Sequence, residues 1–321
     1  MGTIHHITKR GKYGKLLDPA LWAYIDRVND WYPPEIAELP IDRQRDVYDA
    51  MCRAFHQGYP LGVAASDGTV AAGNHAIPVR NYRMAGKAPR ATVVYYHGGG
   101  FVLGGLDSHD DICAEICAGT GFGVLSVDYR LAPEHPHPAA FDDALAVFEW
   151  AAATTDLPIV LCGESAGGNL AAGVAQRTRG HPRQAGQVLI YPGLGGDESI
   201  GSYIEHAKAP LLTLLDIKFY RDIRSDPAQS PDDPTFSPLR DSDFSGLPPT
   251  VIITAECDPL SSDGEAYRDR ILAAGGKAWW HEEKRLVHSF LRARTTVPRA
   301  AETFGLIIAA IAALGEGEWP Y

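Results

Sequence analysis

The strongest constraint on the fold is an alternation of short apolar runs with helical segments along most of the chain. Each run is continuous and rich in β-branched residues, which indicates strands buried on both faces. Because helical segments connect the runs, the sequence predicts an α/β fold: a mostly parallel, twisted sheet with helices on both faces. A segment that alternates like a strand pair, TVAAGNHAIPVRNYRM, precedes the runs from about residue 69. The apolar runs are ATVVYYH, FGVLSVDY, LPIVLCG, QVLIYPG and PTVIITAE; the helical segments are SHDDICAEICAG, AAFDDALAVFEWAAA, AGGNLAAGVAQRTR, DGEAYRDRILAAGG and PRAAETFGLIIAAIAALG.

Two segments depart from this alternation. Residues 1–60 are helical in character, with Asp18 as an N-cap and Pro19 in the first turn, and residues 194–247 form a long proline-rich interval. A connection of that length inside an α/β core is more typical of an inserted lid than of a structureless loop. We predict that residues 1–60 contribute to a cap and that residues 61–321 form a catalytic domain with a cap insertion at about 194–247. Four aromatic residues of the first helix and its end either line a pocket or pack in the core: Trp22, Tyr24, Trp31 and Tyr32.

Composition excludes several classes of protein. A net charge of −11 disfavours nucleic acid or an anionic membrane as the partner. The five cysteines are an odd number and include no C-x-x-C pair, as expected for reduced, mostly buried thiols in a cytoplasmic protein. The polar N-terminal segment predicts no signal peptide, no apolar run approaches the ~18 residues of a membrane span, and nucleotide-binding motifs are absent. We expect neither cofactor nor metal, since His135 and His137 stand among prolines in a loop and are interpreted as structural.

The segment GESAGGNL places Ser165 between a short apolar strand and a helix of small residues. A G-x-S-x-G motif arises easily by chance in a chain with many glycines, but at a strand-to-helix junction it predicts a nucleophile elbow. Flanking glycines avoid clashes with the strand and the helix, and the amides of the first helical turn point towards an anion formed beside the hydroxyl. Ser165 is therefore the candidate nucleophile.

A nucleophilic serine needs a base, a group that orients the base, and hydrogen-bond donors for the oxyanion. The glycines of HGGGF (97–101) follow a strand and leave their amides free to approach a ligand. We assign oxyanion donation to the amides of Gly99, Gly100 and Ala166. His97 precedes these glycines, and we interpret it as bracing the loop by hydrogen bonding rather than as the base.

The orienting acid and the base are expected after the serine, in the order serine, acid, histidine. The strand TVIITA leads to Glu256 and Asp258, and Asp258 lies further out, in the loop where such an acid belongs. Of the later histidines, His281 falls within a strand-like run, whereas His288 lies on the loop that follows. Asp258 and His288 are therefore the predicted partners of Ser165.

Five motifs occur in a fixed order over most of the chain: HGGGF, DYRLAPEHPHPAAFDD, GESAGGN, AECDPL and VHSF. Together they resemble the hormone-sensitive-lipase-like carboxylesterases of the α/β hydrolase fold. The resemblance implies that Ser165, Asp258 and His288 form the catalytic triad, with the oxyanion amides assigned above. It also implies a cap built from the N-terminal helices and the insertion.

Two departures from the family pattern concern the loop that carries the base. Ser289 replaces the usual glycine after the histidine, and EEKRLVHSF lacks the usual proline-glycine before it, so we expect a different loop backbone and pocket shape. Glu164 lies beside the candidate nucleophile, at a position where glutamate is the commoner acidic residue in the family. It either braces the elbow or is a solvated carboxylate. We also expect Asp128, Arg130 and Glu134 to form a loop-bracing charge cluster near the elbow.

The function predicted from these residues is hydrolysis of carboxylic esters with short or medium acyl chains, on a small-molecule substrate in the cytoplasm. No cofactor, nucleic acid or stable membrane insertion is expected, and the sequence is compatible with a homodimer. One alternative is an amidase or N-deacylase that uses the same triad. The other is a non-catalytic ligand-binding relative, as in plant gibberellin receptors, which share the fold but lack the histidine.

Overall fold

An eight-stranded sheet forms the centre of the computed structural model, which describes residues 10–226 and 232–321. The strands are β1 (Val63–Ala72), β2 (His75–Met84), β3 (Thr92–Tyr96), β4 (Gly123–Val127), β5 (Ile159–Glu164), β6 (Gln184–Ile190), β7 (Thr250–Cys257) and β8 (Ala278–Val287). Their order across the sheet is β1-β2-β4-β3-β5-β6-β7-β8. The hairpin β1–β2 is antiparallel and pairs antiparallel with β4, whereas all later neighbours are parallel. The carboxyl ends of β3, β5, β7 and β8 therefore meet at one edge, where ligand sites of open α/β sheets form.

Ten α-helices occur in the described residues. They are α1 (Tyr13–Leu16), α2 (Pro19–Asn29), α3 (Ile41–Phe55), α4 (Asp110–Thr120), α5 (Ala139–Thr154), α6 (Ala166–Arg177), α7 (Ser202–Glu205), α8 (Leu214–Arg224), α9 (Ser261–Ala273) and α10 (Pro298–Gly315). Asp18 caps α2 by accepting the amide of Leu21 at 2.8 Å, with Pro19 in the first turn, as the sequence predicts. The capping carboxylate satisfies an amide that the helix itself leaves without a partner.

The two largest hydrophobic clusters of the core lie one on each face of the sheet. Side chains of α2, α3, α4 and α10 share one cluster, and those of α5, α6 and α9 share the other. Alternate residues of β3 point to opposite clusters: Val93 and Tyr95 to the first, Val94 and Tyr96 to the second. This is the alternation of side chains that any extended strand imposes. A sheet covered on both faces explains why its central strands are continuous apolar runs in the sequence.

The predicted fold class is confirmed, but two strand boundaries differ from the prediction. The first hairpin begins at Val63 rather than near residue 69, because polar residues such as Asp67 occupy an outer strand whose side chains are mostly exposed. The last strand continues through charged, exposed Lys284 and Arg285 to Val287, beyond the apolar run that predicts it. Both are edge strands, and charged residues on edge strands weaken the apolar pattern.

One described helix, α10, is long and apolar enough to cross a membrane by length and composition, contrary to the expectation that no run approaches that length. Its buried residues recur every three or four positions, among them Phe304, Ile307, Ile311 and Leu314, and they belong to the core cluster. That spacing is typical of a core helix that packs one face against a sheet. All five cysteines are free and buried, as predicted.

Candidate active site

Ser165 lies at the sharp turn between β5 and α6. Its backbone has φ 54° and ψ −117°, a strained conformation for a residue with a side chain. Three backbone hydrogen bonds hold it there: its amide donates to the carbonyl of Ile190 at 2.9 Å, and its carbonyl accepts from the amides of Asn169 at 3.1 Å and Gly193 at 3.5 Å. The flanking glycines are sterically required, because a Cβ on Gly163 would lie 2.2 Å from the carbonyl oxygen of Gly167. The predicted strand-to-helix elbow is present, and it points the hydroxyl away from the core.

A continuous chain of hydrogen bonds connects Ser165 to His288 and Asp258. The Oγ of Ser165 lies 2.9 Å from Nε2 of His288, and Nδ1 of His288 lies 2.7 Å from Oδ2 of Asp258. Since the carboxylate only accepts, Nδ1 carries the proton of the neutral imidazole and Nε2 is free to accept from the hydroxyl. The other oxygen of Asp258 accepts the amide of Leu260 at 2.9 Å, which fixes the carboxylate plane.

The electrostatic surroundings of His288 favour uptake of a proton. Burial lowers the pKa of His288, but the negative charge of Asp258 and the hydrogen bond to it outweigh burial, so the pKa lies above the usual histidine value. His288 is 4% exposed and Asp258 is fully buried, so water screens this attraction little. An imidazole in this position can remove the proton of the serine hydroxyl and return it to a leaving group.

The rejected candidates for the acid and the base lie elsewhere. His281 is on β8, where its ring bonds to Glu283 at 3.0 Å and stacks on Trp279. Glu256 accepts the amide of Arg285. The structure thus brings Asp258 and His288 to Ser165 and leaves His281 and Glu256 in contacts of β8.

The residue after His288 adopts the conformation that favours glycine. Ser289 has φ 62° and ψ 24°, in the left-handed region, which costs a non-glycine residue about 1–2 kcal/mol. Its carbonyl accepts a hydrogen bond of 2.9 Å from the hydroxyl of Tyr24 on α2. Ser289 therefore holds a backbone conformation that glycine adopts without strain, and helix α2 is attached directly to the loop that carries the imidazole.

The glycine loop after β3 faces the same space. Gly99 and Gly100 have φ 124° and 63°, and a Cβ on Gly100 would lie 2.4 Å from the ring of Tyr220. Among the described residues, none accepts a hydrogen bond from the amides of Gly99, Gly100 or Ala166. Gly99, Gly100 and Ser165 line one cavity, and Gly100, Ser165 and Ala166 line a second. The three predicted donors thus border the space around the hydroxyl with their amides unused by the fold.

His97 lies behind this loop, fully buried. Its ring stacks on Tyr129 with centroids 4.2 Å apart, and its Nδ1 contacts the carbonyl of Gly98 at 2.8 Å. Burial, with the neighbouring His109, lowers the pKa of His97 to about 3, so the ring stays neutral at physiological pH. These contacts fit the predicted bracing role.

Glu164 is buried and hydrogen-bonded, so it is not a solvated carboxylate. Its Oε1 lies 2.7 Å from Nε2 of His109, and a Cβ on Gly98 would lie 1.9 Å from the same oxygen. Burial alone would raise the pKa of Glu164. The opposing contacts, of which the hydrogen bond and charge interaction with His109 are the largest, outweigh burial and lower the pKa to about 2. Glu164 therefore remains ionised and fills the space between the nucleophile elbow and the glycine loop.

Sequence reasoning did not single out His109 or Arg292, which complete this buried group. Arg292 follows His288 by four residues and lies 3.4 Å from Nε2 of His109 through its Nη2. The positions 109, 164 and 292 belong to three distant elements, so spacing along the chain gives no signal for the group. The only available signal is a charged residue within the otherwise apolar FLRA segment.

The expected cluster of Asp128, Arg130 and Glu134 does not form. Arg130 instead pairs with Asp143 on α5 at 2.8 Å, and Glu134 pairs with Arg45 on α3 at 2.7 Å. Arg130 and Glu134 thus pair with two different helices rather than with each other. His137 bonds to Asp233 at 3.1 Å, and the described residues hold no group of three metal-ligating side chains.

Comparisons with known proteins identify the family to which this fold belongs. Residues 93–292 match the model of a family described as having the α/β hydrolase fold. Carboxylesterase NlhH of Mycobacterium tuberculosis is 42% identical over 68% of this chain and 72% of its own length, and the carboxylic ester hydrolase LipN of the same organism is 39% identical over 87% and 78%. The structure of a hyperthermophilic esterase from Pyrobaculum calidifontis superposes with a TM-score of 0.85 at 31% identity, over 93% of this chain and 99% of that one.

The fold and the serine at its elbow define an α/β hydrolase. The chain belongs to the hormone-sensitive-lipase-like carboxylesterases, as the motifs indicate, and it is a carboxylic ester hydrolase.

Proposed function

We propose that the protein is a serine carboxylesterase in which Ser165, His288 and Asp258 act as a triad. The hydrogen-bonded chain from Ser165 through His288 to Asp258 supports this proposal most directly. His288 takes the proton of Ser165 as the hydroxyl attacks the ester carbonyl, and then gives it to the departing alcohol. Asp258 keeps the proton on Nδ1 and stabilises the imidazolium that forms. Water then attacks the acyl-enzyme with the same assistance from His288 and releases the acid.

The oxyanion of the tetrahedral intermediate is stabilised by the amides of Gly99, Gly100 and Ala166. Two observations support this assignment. No described residue accepts a hydrogen bond from these three amides, and all three residues border the cavities at Ser165. Amide donors held rigidly at such a site typically contribute ~2.7–4 kcal/mol each to transition-state stabilisation. The positive φ of Gly99 and Gly100 aims the loop backbone at the site, a direction that residues with side chains rarely adopt.

The cap is formed by helices of residues 1–60 and by part of the insertion at about 194–247; residues 1–9 and 227–231 lie outside the described structure. Tyr24, Val28 and Tyr32 of the first segment line a cavity of about 130 Å³ together with Ser165 and His288. Leu211, Leu212, Asp216 and Tyr220 of the insertion line the same cavity. Of the predicted aromatic candidates, Tyr24 and Tyr32 line it, whereas Trp22 is buried in the core and Trp31 is 40% exposed. A cavity of this volume favours short- to medium-chain acyl groups.

We further propose that the enzyme works in the cytoplasm on small esters without membrane insertion. The apolar face of α10 packs in the core, which leaves it unavailable to a bilayer. A homodimer stays a prediction, which light scattering of the purified protein tests.

The test of the function compares wild type with Ser165→Ala on p-nitrophenyl esters of increasing acyl length and on matched p-nitroanilides. We expect Ser165→Ala to lower ester turnover about 10⁴-fold or more. Wild type should cleave the anilides far more slowly than the esters. A small organophosphate should label Ser165 alone. If Ser165→Ala keeps a tenth of the activity, the assignment of the nucleophile is wrong; if anilides are cleaved as fast as esters, the protein is an amidase.

A further inference from the structure

Arg292 is a buried cation at the wall of the cavity that contains the nucleophile. Its side chain is 6% exposed, and it borders the cavity together with Tyr48, Glu164 and Ser165. Placing a guanidinium at an enclosed site is costly unless a carboxylate or enough hydrogen-bond acceptors compensate for the lost water.

No carboxylate compensates Arg292 directly. Among the described residues no Asp or Glu oxygen lies within 4.0 Å of its guanidinium, and the chain has no acidic residue at 1–9 or 227–231. Arg294, two residues further on and similarly buried, provides the contrast: it pairs with Asp111 at 2.7 Å and with Glu115 at 2.6 Å. The same segment therefore holds one buried arginine that is paired with carboxylates, Arg294, and one that is not, Arg292.

The hydrogen bonds of Arg292 also leave donors unused. Nη1 donates to the carbonyl of Ser108 at 2.8 Å, and Nη2 donates to the hydroxyl of Tyr48 at 3.1 Å. His109 is not an acceptor for it, because ionised Glu164 requires Nε2 of His109 to be the donor. A guanidinium has five N–H groups, so most of its donor capacity has no acceptor in the described structure.

The charges around the cavity indicate which ligand suits these donors. Glu164 is ionised and borders the same cavity, so its negative charge offsets that of Arg292 and disfavours an anionic ligand. A neutral oxygen acceptor avoids that repulsion and still receives a charge-assisted hydrogen bond. An unsubstituted alkyl chain would leave the unused donors without water and without a partner, which is costly.

We propose that Arg292, with Tyr48 beside it, binds a carbonyl oxygen on the acyl chain, so that oxo-acyl esters are preferred over plain alkanoyl esters. This inference rests on the proposed ester hydrolysis at Ser165 and specifies its substrate class. Arg292 and Tyr48 are specificity-determining residues in this scheme and take no part in bond breaking.

The test uses two p-nitrophenyl esters of five-carbon acids, pentanoate and 4-oxopentanoate, and a third of similar size from a four-carbon diacid, hydrogen succinate. At the fourth carbon they carry a methylene, a carbonyl and a carboxylate. After subtraction of spontaneous hydrolysis, we expect kcat/KM for 4-oxopentanoate to exceed that for pentanoate by about 10- to 100-fold, the range for a hydrogen bond to a charged donor. Hydrogen succinate should be slower than 4-oxopentanoate because of Glu164.

Variants of Arg292 and Tyr48 test whether these two residues cause the preference for 4-oxopentanoate over pentanoate. Arg292→Met should lower the ratio of 4-oxopentanoate to pentanoate about 10-fold or more, and Arg292→Lys, which keeps the charge but loses the planar fork, should lower it less. Tyr48→Phe should lower it severalfold. Tyr59→Phe is the matched control, since the hydroxyl of Tyr59 donates to Asp110 outside the cavity, and its ratio should not change.

The outcomes separate the two proposals. If wild type hydrolyses none of the esters, including p-nitrophenyl acetate, the proposed function itself is wrong. If it hydrolyses pentanoate as fast as 4-oxopentanoate, ester hydrolysis stands and the role of Arg292 is refuted. Hydrogen succinate as the best substrate would also refute it, in favour of an anion site. An unchanged ratio in a folded Arg292→Lys or Tyr48→Phe variant overturns the assignment even if Arg292→Met does not fold.

Discussion

The strained backbone of Ser165 allows the chemistry of the residue to be separated from its effect on stability. Ser165→Ala and Ser165→Gly both remove the hydroxyl and its contact with His288, so both should lose activity. They differ only in the Cβ atom, which the alanine variant keeps at φ 54° and ψ −117°. Glycine adopts that conformation without strain. We therefore expect the glycine variant to be the more stable of two inactive proteins.

The magnitude follows from two opposing contributions. A non-glycine residue in a sparsely populated conformation costs about 1–3 kcal/mol. Glycine lowers stability by about 0.4–1 kcal/mol through the greater entropy of the unfolded chain. The net expectation is that Ser165→Gly is about 1 kcal/mol more stable than Ser165→Ala. For 321 residues the unfolding entropy is about 0.7 kcal/mol/K, so the melting temperature should be about 1.5 °C higher.

Differential scanning calorimetry of the two variants, side by side at one scan rate, measures this difference. A glycine variant that melts at the same temperature as the alanine variant, or below it, would refute the strain argument. The matched control is Ser262→Ala against Ser262→Gly on α9, where helical backbone geometry should make glycine the less stable of the two. Opposite signs at the two positions would assign the effect to the elbow backbone.

Four further predictions concern the base, its pH profile, the acid and the cap. His288→Ala should lose as much activity as Ser165→Ala, whereas His281→Ala should keep most of it; the reverse result in steady-state assays would move the base onto β8. Because only neutral His288 accepts the serine proton, kcat/KM should rise with pH through a pKa above the ordinary histidine value. Asp258→Asn should lower that pKa, move the rise to lower pH and reduce kcat by about 10⁴-fold, and a pH profile that stays in place would contradict this. Val28→Phe should narrow the cap-side cavity, so octanoate esters should lose more kcat/KM than acetate esters, and an equal loss for both would show that Val28 does not contact the acyl chain.

Local sequence patterns predict the parts of the site that depend on neighbouring residues. The elbow at Ser165 follows from glycines within two positions of the serine, and the choice of His288 over His281 follows from the end of one strand. Asp258 could be predicted because parallel strands bring their carboxyl ends to one edge, so the loop after β7 must reach the elbow after β5.

Contacts between distant elements could not be predicted in this way. Asp128, Arg130 and Glu134 are close in sequence, yet Arg130 and Glu134 pair with α5 and α3, because the packing of layers rather than spacing decides which charges meet. The contact of Glu164 with His109 arises for the same reason. Such pairs depend on the three-dimensional arrangement of the chain, which a single sequence without an alignment does not reveal.

The hydrogen bond from Tyr24 to the carbonyl of Ser289 has a consequence for how this enzyme can diversify. Tyr24 belongs to a segment that borders the cavity at Ser165, and Ser289 adjoins His288, so one contact joins the proposed acyl-binding surface to the proposed base. We therefore expect a mutation that reshapes α2 for a new acyl chain to shift His288 as well. Grafting a relative's N-terminal helices onto this catalytic domain should transfer substrate range with full turnover only if the graft keeps a donor at position 24. Substrate selectivity and turnover rate should then change together in such grafted variants.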